Sequence, residues 1–266
     1  MPPTIHIVRH AHAAHQIDAP GIGFDPHDPE LTQDGIRECE GLAAEMATLG
    51  GIDLILCSPM KRTIQTALAA FSSYTESKKI VLLPDLQESG IGQTNTGSSL
   101  DELVSRFGTA ALDFYYVTPD WTDNGTGTRY DSAASASRAR ATRLFIRTIA
   151  QHYRDTDANI VVVTHSLYIR NLVPRAFGVF NNTEWGSFRF NSLARDDGDA
   201  ELREVPCSIT RKKRLNRIPR DNTFNVSVPV PLAAKEAIRA KRKRDEESHP
   251  PGCSTTTGVH EVPAVR

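Results

Sequence analysis

Short blocks of consecutive apolar residues recur along the chain, and stretches with a different periodicity separate them. The blocks are rich in Ile, Val and Leu and have the length of buried strands, so they predict strands. These blocks are residues 5–8, 52–57, 80–83 and 160–164. In the stretches between them, apolar residues recur every three or four positions, which predicts amphipathic helices. The predicted helices are residues 33–49, 58–71, 135–153 and 167–177.

Strands that alternate with helices indicate a mostly parallel sheet covered on both faces. We therefore predict an α/β fold, a three-layer α/β/α sandwich with a mostly parallel central sheet. Residues 85–131 interrupt the alternation; they are rich in Gly, Thr, Ser and Asp and predict an irregular excursion over one sheet edge. Long irregular segments of this kind are often functional. The blocks 188–190 and 200–205 predict additional edge strands.

Charge divides the chain into two parts, although the net formal charge is only −1. Residues 1–206 contain 18 Lys and Arg against 26 Asp and Glu, whereas residues 207–266 contain 13 against 6. The second part also contains several prolines and a single aromatic residue, a composition typical of disorder. We predict a catalytic domain over residues 1–206 and a basic, largely disordered tail over residues 207–266.

The tail bears on location and partners through two basic clusters, residues 211–214 and 241–244. Such clusters are typical of nuclear-import or nucleic-acid-binding segments, but a solvated tail accounts for them equally well. Because Phe224 is the tail's only aromatic residue, we expect no recognition of nucleic-acid bases. No apolar run is long enough to span a bilayer, and the N-terminal residues lack the order of a secretory signal. We expect a cytoplasmic protein without a membrane partner; the clusters leave a nuclear location open.

Polar side chains of the types that bind phosphate or react with it follow each of the predicted strands. Because ligands bind at the carboxyl ends of parallel strands, we expect these side chains to converge in one crevice. The group consists of Arg9, His10, Ser58 with Arg62 one helical turn later, Glu88 and His165. Arg62 and Ser166 are also predicted at helix N-termini, which favour anions.

This set of groups suits phosphoryl transfer. A neutral imidazole can attack phosphorus and form a covalent intermediate. Two guanidiniums can bind the non-bridging oxygens and stabilise the charge that develops on them. A carboxylic acid can protonate the leaving alcohol and then accept a proton from water.

Five ordered motifs resemble those of the histidine phosphatase, or phosphoglycerate-mutase-like, superfamily, and most of all its fungal phosphatases. They are Arg9-His10-Ala11, Asp28-Pro-Glu-Leu-Thr-Gln-Asp-Gly35, Ser58-Pro-Met-Lys-Arg62-Thr-Ile-Gln-Thr66, Leu86-Gln-Glu88 and Val161-Val-Val-Thr-His165. Asn95-Thr-Gly97 resembles a further segment of the fungal members. The resemblance covers about residues 4–205.

The resemblance implies a role for each candidate. His10 would be the phosphohistidine nucleophile, and Glu88 the proton donor. Arg9, Arg62 and His165 would form the phosphate pocket. It also implies hydrolysis of a small phosphorylated metabolite, with no cofactor and no metal ion. The oligomeric state does not follow from it.

Two positions depart from the family pattern. Gln16 stands where the signature usually carries Asn; it keeps the amide but adds a methylene group. Ser166 replaces the Gly that commonly follows the second histidine and adds a Cβ to the pocket. We interpret both as substrate-binding residues and expect activity to survive these changes, reduced or redirected.

Several interpretations compete with these assignments. Phosphotransfer of the mutase type is one, although Glu88-Ser-Gly-Ile-Gly92 lacks the extended run found in mutases. A non-catalytic phosphate-binding or interaction module is another. Glu88 can also be read as a solvated loop acid, and Trp121 and Tyr130 as packing residues or as a lid. The histidines near residue 10 lack the carboxylates or thiolates of a metal site. A solvated helix face accounts for Arg138, Arg140, Arg143 and Arg147.

Overall fold

The computed structural model describes residues 1–17, 25–90, 92–173, 179–194 and 198–206. The predicted tail, residues 207–266, therefore lies outside the described residues, as do the last residues of the predicted helix 167–177. Within the described ranges, no helix is both long and apolar enough to cross a membrane.

Seven strands of the described residues form one sheet. They are β1 Thr4–Arg9, β2 Leu54–Cys57, β3 Ile80–Leu82, β4 Leu112–Asp113, β5 Asn159–Thr164, β6 Trp185–Phe190 and β7 Leu202–Glu204. Their order across the sheet is β4-β3-β2-β5-β1-β6-β7. The first five strands of that order pair in parallel, and β6 and β7 add an antiparallel edge. The predicted sheet is thus confirmed, including both edge strands.

Six α-helices of the described residues accompany the sheet. They are α1 Gln33–Met46, α2 Lys61–Ala70, α3 Ser72–Thr75, α4 Leu100–Phe107, α5 Ser135–His152 and α6 Ser166–Leu172. On β5, Val161 and Val163 belong to the core that α1 and α2 cover, and Ile160 and Val162 to the core under α5 and α6. Successive side chains of a strand point to opposite faces, so β5 is buried on both sides. The three-layer prediction is confirmed.

Local chemistry fixes the ends of α1 near the predicted positions. The side chain of Thr32 accepts a hydrogen bond from the N–H of Gly35 and caps the first turn. After Met46 one 3-10 turn follows, and Gly50 ends it in the left-handed conformation with φ 76°.

The prediction that Ser58 and Pro59 open a helix is wrong by three residues. The N–H of Ser58 donates to the carbonyl of Val163 (3.0 Å), so Ser58 still extends the strand ladder. Met60 has an extended backbone with ψ 142°, and α2 begins only at Lys61. Ser58 therefore lies at the strand end, beside the helix that carries Arg62.

The excursion at residues 85–131 is more ordered than predicted. It contains α4, which Ser99 caps by accepting from the N–H of Glu102, and Leu103 anchors this helix in the core. It also contains β4, in which Leu112 pairs with Ile80. The turn-rich composition concealed these elements because both are short.

Candidate active site

The parallel strands β1 and β2, with β5 between them, bring the candidate residues together. Both β1 and β2 pair with β5, so their carboxyl ends lie at the same edge. The N–H of His10 donates to the Thr164 carbonyl (3.0 Å), directly before His165. The ring centroids of His10 and His165 are 5.1 Å apart. The predicted convergence of the first and fourth strand ends is present in the structure.

The hydrogen bonding of His10 defines its tautomer. Its Nδ1 lies 2.7 Å from the carbonyl oxygen of Ala11, and because a carbonyl only accepts, Nδ1 carries the hydrogen. Nε2 is therefore left with its lone pair. Burial lowers the pKa of His10 well below its usual value, and the positive charges of Arg62 and Arg9 lower it further. The ring is thus neutral near pH 7, which is the nucleophilic form.

His165 is fully buried and has one bound ring nitrogen. Its Nε2 lies 2.9 Å from the hydroxyl of Ser58, and its Nδ1 has no hydrogen-bond partner among the described residues. The Ser58 hydroxyl also accepts from the N–H of Met60 at 3.5 Å. In the tautomer in which Nε2 accepts from Ser58, Nδ1 carries the hydrogen and is available as a donor. Burial, followed by the charge of Arg62, lowers the pKa of His165.

Two buried or partly buried guanidiniums stand beside the histidines. Arg62, 1% exposed, donates through Nη1 to the Thr94 carbonyl (2.9 Å), and its Nε has no partner among the described residues. Arg9 donates through Nη1 to the Phe180 carbonyl (2.8 Å) and also has a buried, unpaired Nε. Burial lowers the pKa of Arg62 to about 10, so the group remains charged at neutral pH. Both side chains retain N–H groups for an anion.

Glu88 is held at the N-terminus of α6. One carboxylate oxygen accepts from the N–H groups of Ser89 and Tyr168 (2.9 Å each), and the other from Leu167 (3.2 Å). The side chain is only 8% exposed, so the alternative of a solvated loop acid is wrong. Because α6 begins directly after His165, these bonds tie the carboxylate to the second histidine.

The two departures from the family pattern occupy different settings. The amide of Gln16 pairs reciprocally with that of Asn182 at 3.1 and 2.9 Å, and its oxygen also accepts from the N–H of Ala13. Asn182 in turn donates to the His10 carbonyl (3.2 Å). Ser166 is the first residue of α6 and is half-buried. Contact of either residue with substrate stays a prediction.

Three residues near the site were not predicted as members of it. The ring of His15 lies 5.9 Å from that of His10, and burial, followed by Arg62, lowers the pKa of His15 to about 4. Asp28, 1% exposed, accepts from the N–H of Lys61 at the start of α2. The third is Asn182. Asp28 lay within a quoted motif and His15 among the histidines near residue 10, whereas no sequence signal marks Asn182.

Two of the four helical arginines contradict the predicted solvated face. Arg138 and Arg147 are only 3% and 5% exposed, because they lie on the side of α5 that faces the protein. Arg140 fits the prediction, since its exposed side chain pairs with Asp199. Trp121 is fully buried in the core, which confirms the packing interpretation.

A metal site does not emerge from the histidines. Across the described parts of the chain, no group of three or more His, Cys, Asp or Glu side chains could hold a metal ion.

Comparison with known proteins agrees with this geometry. A family model described as "Histidine phosphatase superfamily (branch 1)" matches residues 5–204. A probable phosphatase of Schizosaccharomyces pombe is 29% identical over 170 residues, which span 63% of this chain and 76% of that protein. Phosphoglycerate mutase-like protein 1 of Arabidopsis thaliana is 33% identical over 90 residues, 30% of this chain and 32% of that protein.

The fold is also found among solved structures. The ecdysone phosphate phosphatase from Bombix mori, in complex with tungstate, superposes with a TM-score of 0.52 at 14% identity. The match covers 70% of this chain and 89% of that chain. The predicted enzyme class, a phosphatase, is confirmed together with the family. The chain belongs to the histidine phosphatase superfamily.

Proposed function

We propose that the protein hydrolyses a small phosphomonoester through a phosphohistidine on His10, without a metal ion. The observation that carries the proposal is the bond between His10 Nδ1 and the Ala11 carbonyl (2.7 Å). It fixes the tautomer that offers an Nε2 lone pair, within a site that also holds two guanidiniums.

The first step transfers the phosphoryl group to the enzyme. The lone pair of His10 Nε2 attacks phosphorus, and the bond between phosphorus and the ester oxygen breaks. The electron pair stays on that oxygen, which takes the proton of the Glu88 carboxyl group. The imidazolium that forms keeps its Nδ1–H on the Ala11 carbonyl.

The second step returns the enzyme to its initial state. Glu88, now ionised, accepts a proton from a water molecule whose oxygen attacks phosphorus. The bond between nitrogen and phosphorus breaks, and its electron pair returns to Nε2. Inorganic phosphate leaves, and the proton remains on Glu88 for the next cycle.

Positive charge for both steps comes from protein groups. Arg9 and Arg62 bind the non-bridging oxygens, and His165 adds a third donor through Nδ1, which has no partner among the described residues, in the tautomer that carries the hydrogen there. These donors are already in place before reaction, and a preorganised set of this kind stabilises the charge on the transferred group. We therefore propose that no metal ion is required.

Hydrolysis of p-nitrophenyl phosphate with excess chelator tests the proposal. The parent chain should release phosphate, and His10→Ala should lose activity by several orders of magnitude. The exposed His152, on α5, supplies the control His152→Ala, which should keep full activity. Activity that chelator abolishes, or that survives in a folded His10→Ala variant, would contradict the proposal.

Trapping the intermediate separates hydrolysis from the mutase alternative. Acid-labile, base-stable label from a phosphorylated substrate should appear on the parent chain and on His152→Ala, but not on His10→Ala. Phosphate should be released to water even when an alcohol acceptor is present. Predominant transfer to the acceptor would favour a mutase.

A further inference from the structure

One buried arginine, Arg138, lies next to the backbone of the proposed proton donor Glu88. It is not one of the residues assigned above to the phosphate pocket. Arg138 is 3% exposed, yet it forms no ion pair within the described residues. Its Nε and Nη2 have no hydrogen-bond partner there either. A charged group in such a place costs free energy, so its remaining contacts indicate what it does.

Those contacts go to the backbone that carries Glu88. Arg138 Nη1 donates to the carbonyl of Gln87 at 3.1 Å and lies 3.5 Å from that of Asp85. The Gln87 carbonyl belongs to the peptide unit that also contains the N–H of Glu88. The guanidinium therefore fixes the orientation of the peptide from which the Glu88 side chain extends.

The same guanidinium stacks on the second support of Glu88. Its Cζ lies 4.6 Å from the ring centroid of Tyr168, within the range of cation–π attraction. The N–H of Tyr168 donates to the Glu88 carboxylate (2.9 Å). The hydroxyl of Tyr168 is fixed by Thr142 (2.7 Å), one turn after Arg138 on α5. Arg138 thus contacts both the chain before Glu88 and the residue that binds its carboxylate.

We propose that Arg138 is a positioning residue that aims the Glu88 carboxyl group at the leaving oxygen of the substrate. This inference rests on the proposed function, because it assigns Arg138 to the proton-donor step alone. Arg138 then matters when the leaving group needs a proton and has little effect when the leaving group departs as a stable anion. A residue needed only for folding would affect all substrates alike.

A series of substituted phenyl phosphates, from p-nitrophenyl to unsubstituted phenyl, measures this difference. For Arg138→Met we expect kcat/KM to fall about 10- to 100-fold on phenyl phosphate, less than the roughly 100- to 10,000-fold that general acid catalysis contributes, because Glu88 itself remains. On p-nitrophenyl phosphate the loss should be about threefold or less, since that leaving group needs little protonation. The dependence of log kcat/KM on leaving-group pKa should steepen accordingly. Arg138→Lys, which keeps the charge and one donor direction, should lie between parent and Arg138→Met.

Arg147 provides the matched control, because it is another buried arginine on α5, nine residues further along. Arg147→Met should leave the dependence on leaving-group pKa unchanged, whatever it does to stability. In a Glu88→Gln background, Arg138→Met should add no further loss on phenyl phosphate, because both changes remove the same step. Folding of each variant is checked by circular dichroism and urea unfolding.

The outcomes distinguish this inference from the proposed function. If Arg138→Met lowers the rates of all phenyl phosphates by the same factor, or adds its full effect to Glu88→Gln, the positioning role is overturned while phosphatase activity stands. If the parent shows no activity that depends on His10, the proposed function itself fails. A variant too unstable to assay leaves Arg138→Lys to decide, since an unchanged slope there also overturns the role.

Discussion

Two glycines of α1 offer a paired test of how this helix supports the segment that follows His10. A Cβ built on Gly35 would lie 2.0 Å from the backbone carbonyl oxygen of His12. A Cβ built on Gly41, in the same helix, meets nothing within 4 Å. The substitutions Gly35→Ala and Gly41→Ala therefore add the same methyl group to one crowded and one open position.

The magnitude follows from the geometry. Alanine in a helix interior stabilises relative to glycine by about 0.5–1 kcal/mol, and Gly41→Ala should gain this amount. At Gly35 the contact must open by about 1 Å, and a backbone carbonyl cannot rotate away as a side chain can. Overpacking of this kind costs about 1–3 kcal/mol. Because Gly35 lies in the first turn of α1, its backbone gain is at most that of Gly41, and the two variants should differ in unfolding free energy by at least about that steric cost.

Urea unfolding measures the difference directly, because both variants should keep the parent's slope and change only the midpoint. Activity provides a second readout: the carbonyl that must move is two residues after His10. A displacement near 1 Å at a reacting group can cost about 100-fold, so Gly35→Ala should lower kcat/KM strongly, and Gly41→Ala should not. Equal stability and equal activity of the two variants would refute the contact between α1 and the His10 segment.

Three further outcomes follow from burial. Histidines whose pKa burial lowers stay neutral when folded but take up protons when unfolded below about pH 6.5. Stability should therefore be complete above that pH and fall as the pH drops, by on the order of 1 kcal/mol per pH unit for each fully buried histidine and by less for the partly exposed His15. Urea midpoints at pH 7, 6 and 5 measure this, and a flat profile would contradict it. The histidines concerned are His6, His10, His15 and His165. Asp28→Ala should lower the free energy of unfolding, measured with urea, by about 1–2 kcal/mol and raise KM for p-nitrophenyl phosphate, because it removes the acceptor for the Lys61 N–H at the start of α2. Asp28→Asn keeps one acceptor oxygen and should lose less stability. No change in either variant would show that this cap is dispensable. Burial raises the pKa of Cys39 to about 12. In a variant with Cys207→Ser and Cys253→Ser, a thiol reagent should therefore modify Cys39 only after the protein unfolds. Fast modification of the native protein would contradict that burial.

The central strands were predictable because both of their faces are buried. A strand covered on two sides consists almost wholly of apolar residues, as at residues 160–164, and few other structures produce such a block. The helix α4 also carried a signal, since Leu100, Leu103 and Phe107 recur at helical spacing. Its turn-rich flanks concealed that signal, and the two-residue strand β4 was too short to recognise.

The residues of the candidate site also differ in how far the sequence could predict them. Residues directly after strands, such as His10 and His165, were predictable because the strand fixes their position. Asn182 was not, because it approaches the His10 carbonyl from a segment more than 170 positions away. Arg138 was misassigned for a related reason: helical spacing does not distinguish a solvated arginine from one whose partners are carbonyls of a distant turn.

The longer side chain at residue 16 illustrates how tertiary contacts change the meaning of a departure from a pattern. Gln16 gives its oxygen to two donors, the N–H of Ala13 and the amide of Asn182, and one of its own N–H groups to Asn182. An amide nitrogen carries two hydrogens, so one N–H of Gln16 remains for an anion. Asn182 donates its second N–H to the His10 carbonyl. The longer side chain of Gln16 therefore reaches Asn182, which binds the His10 carbonyl, and still leaves one N–H for the predicted contact with a phosphate oxygen.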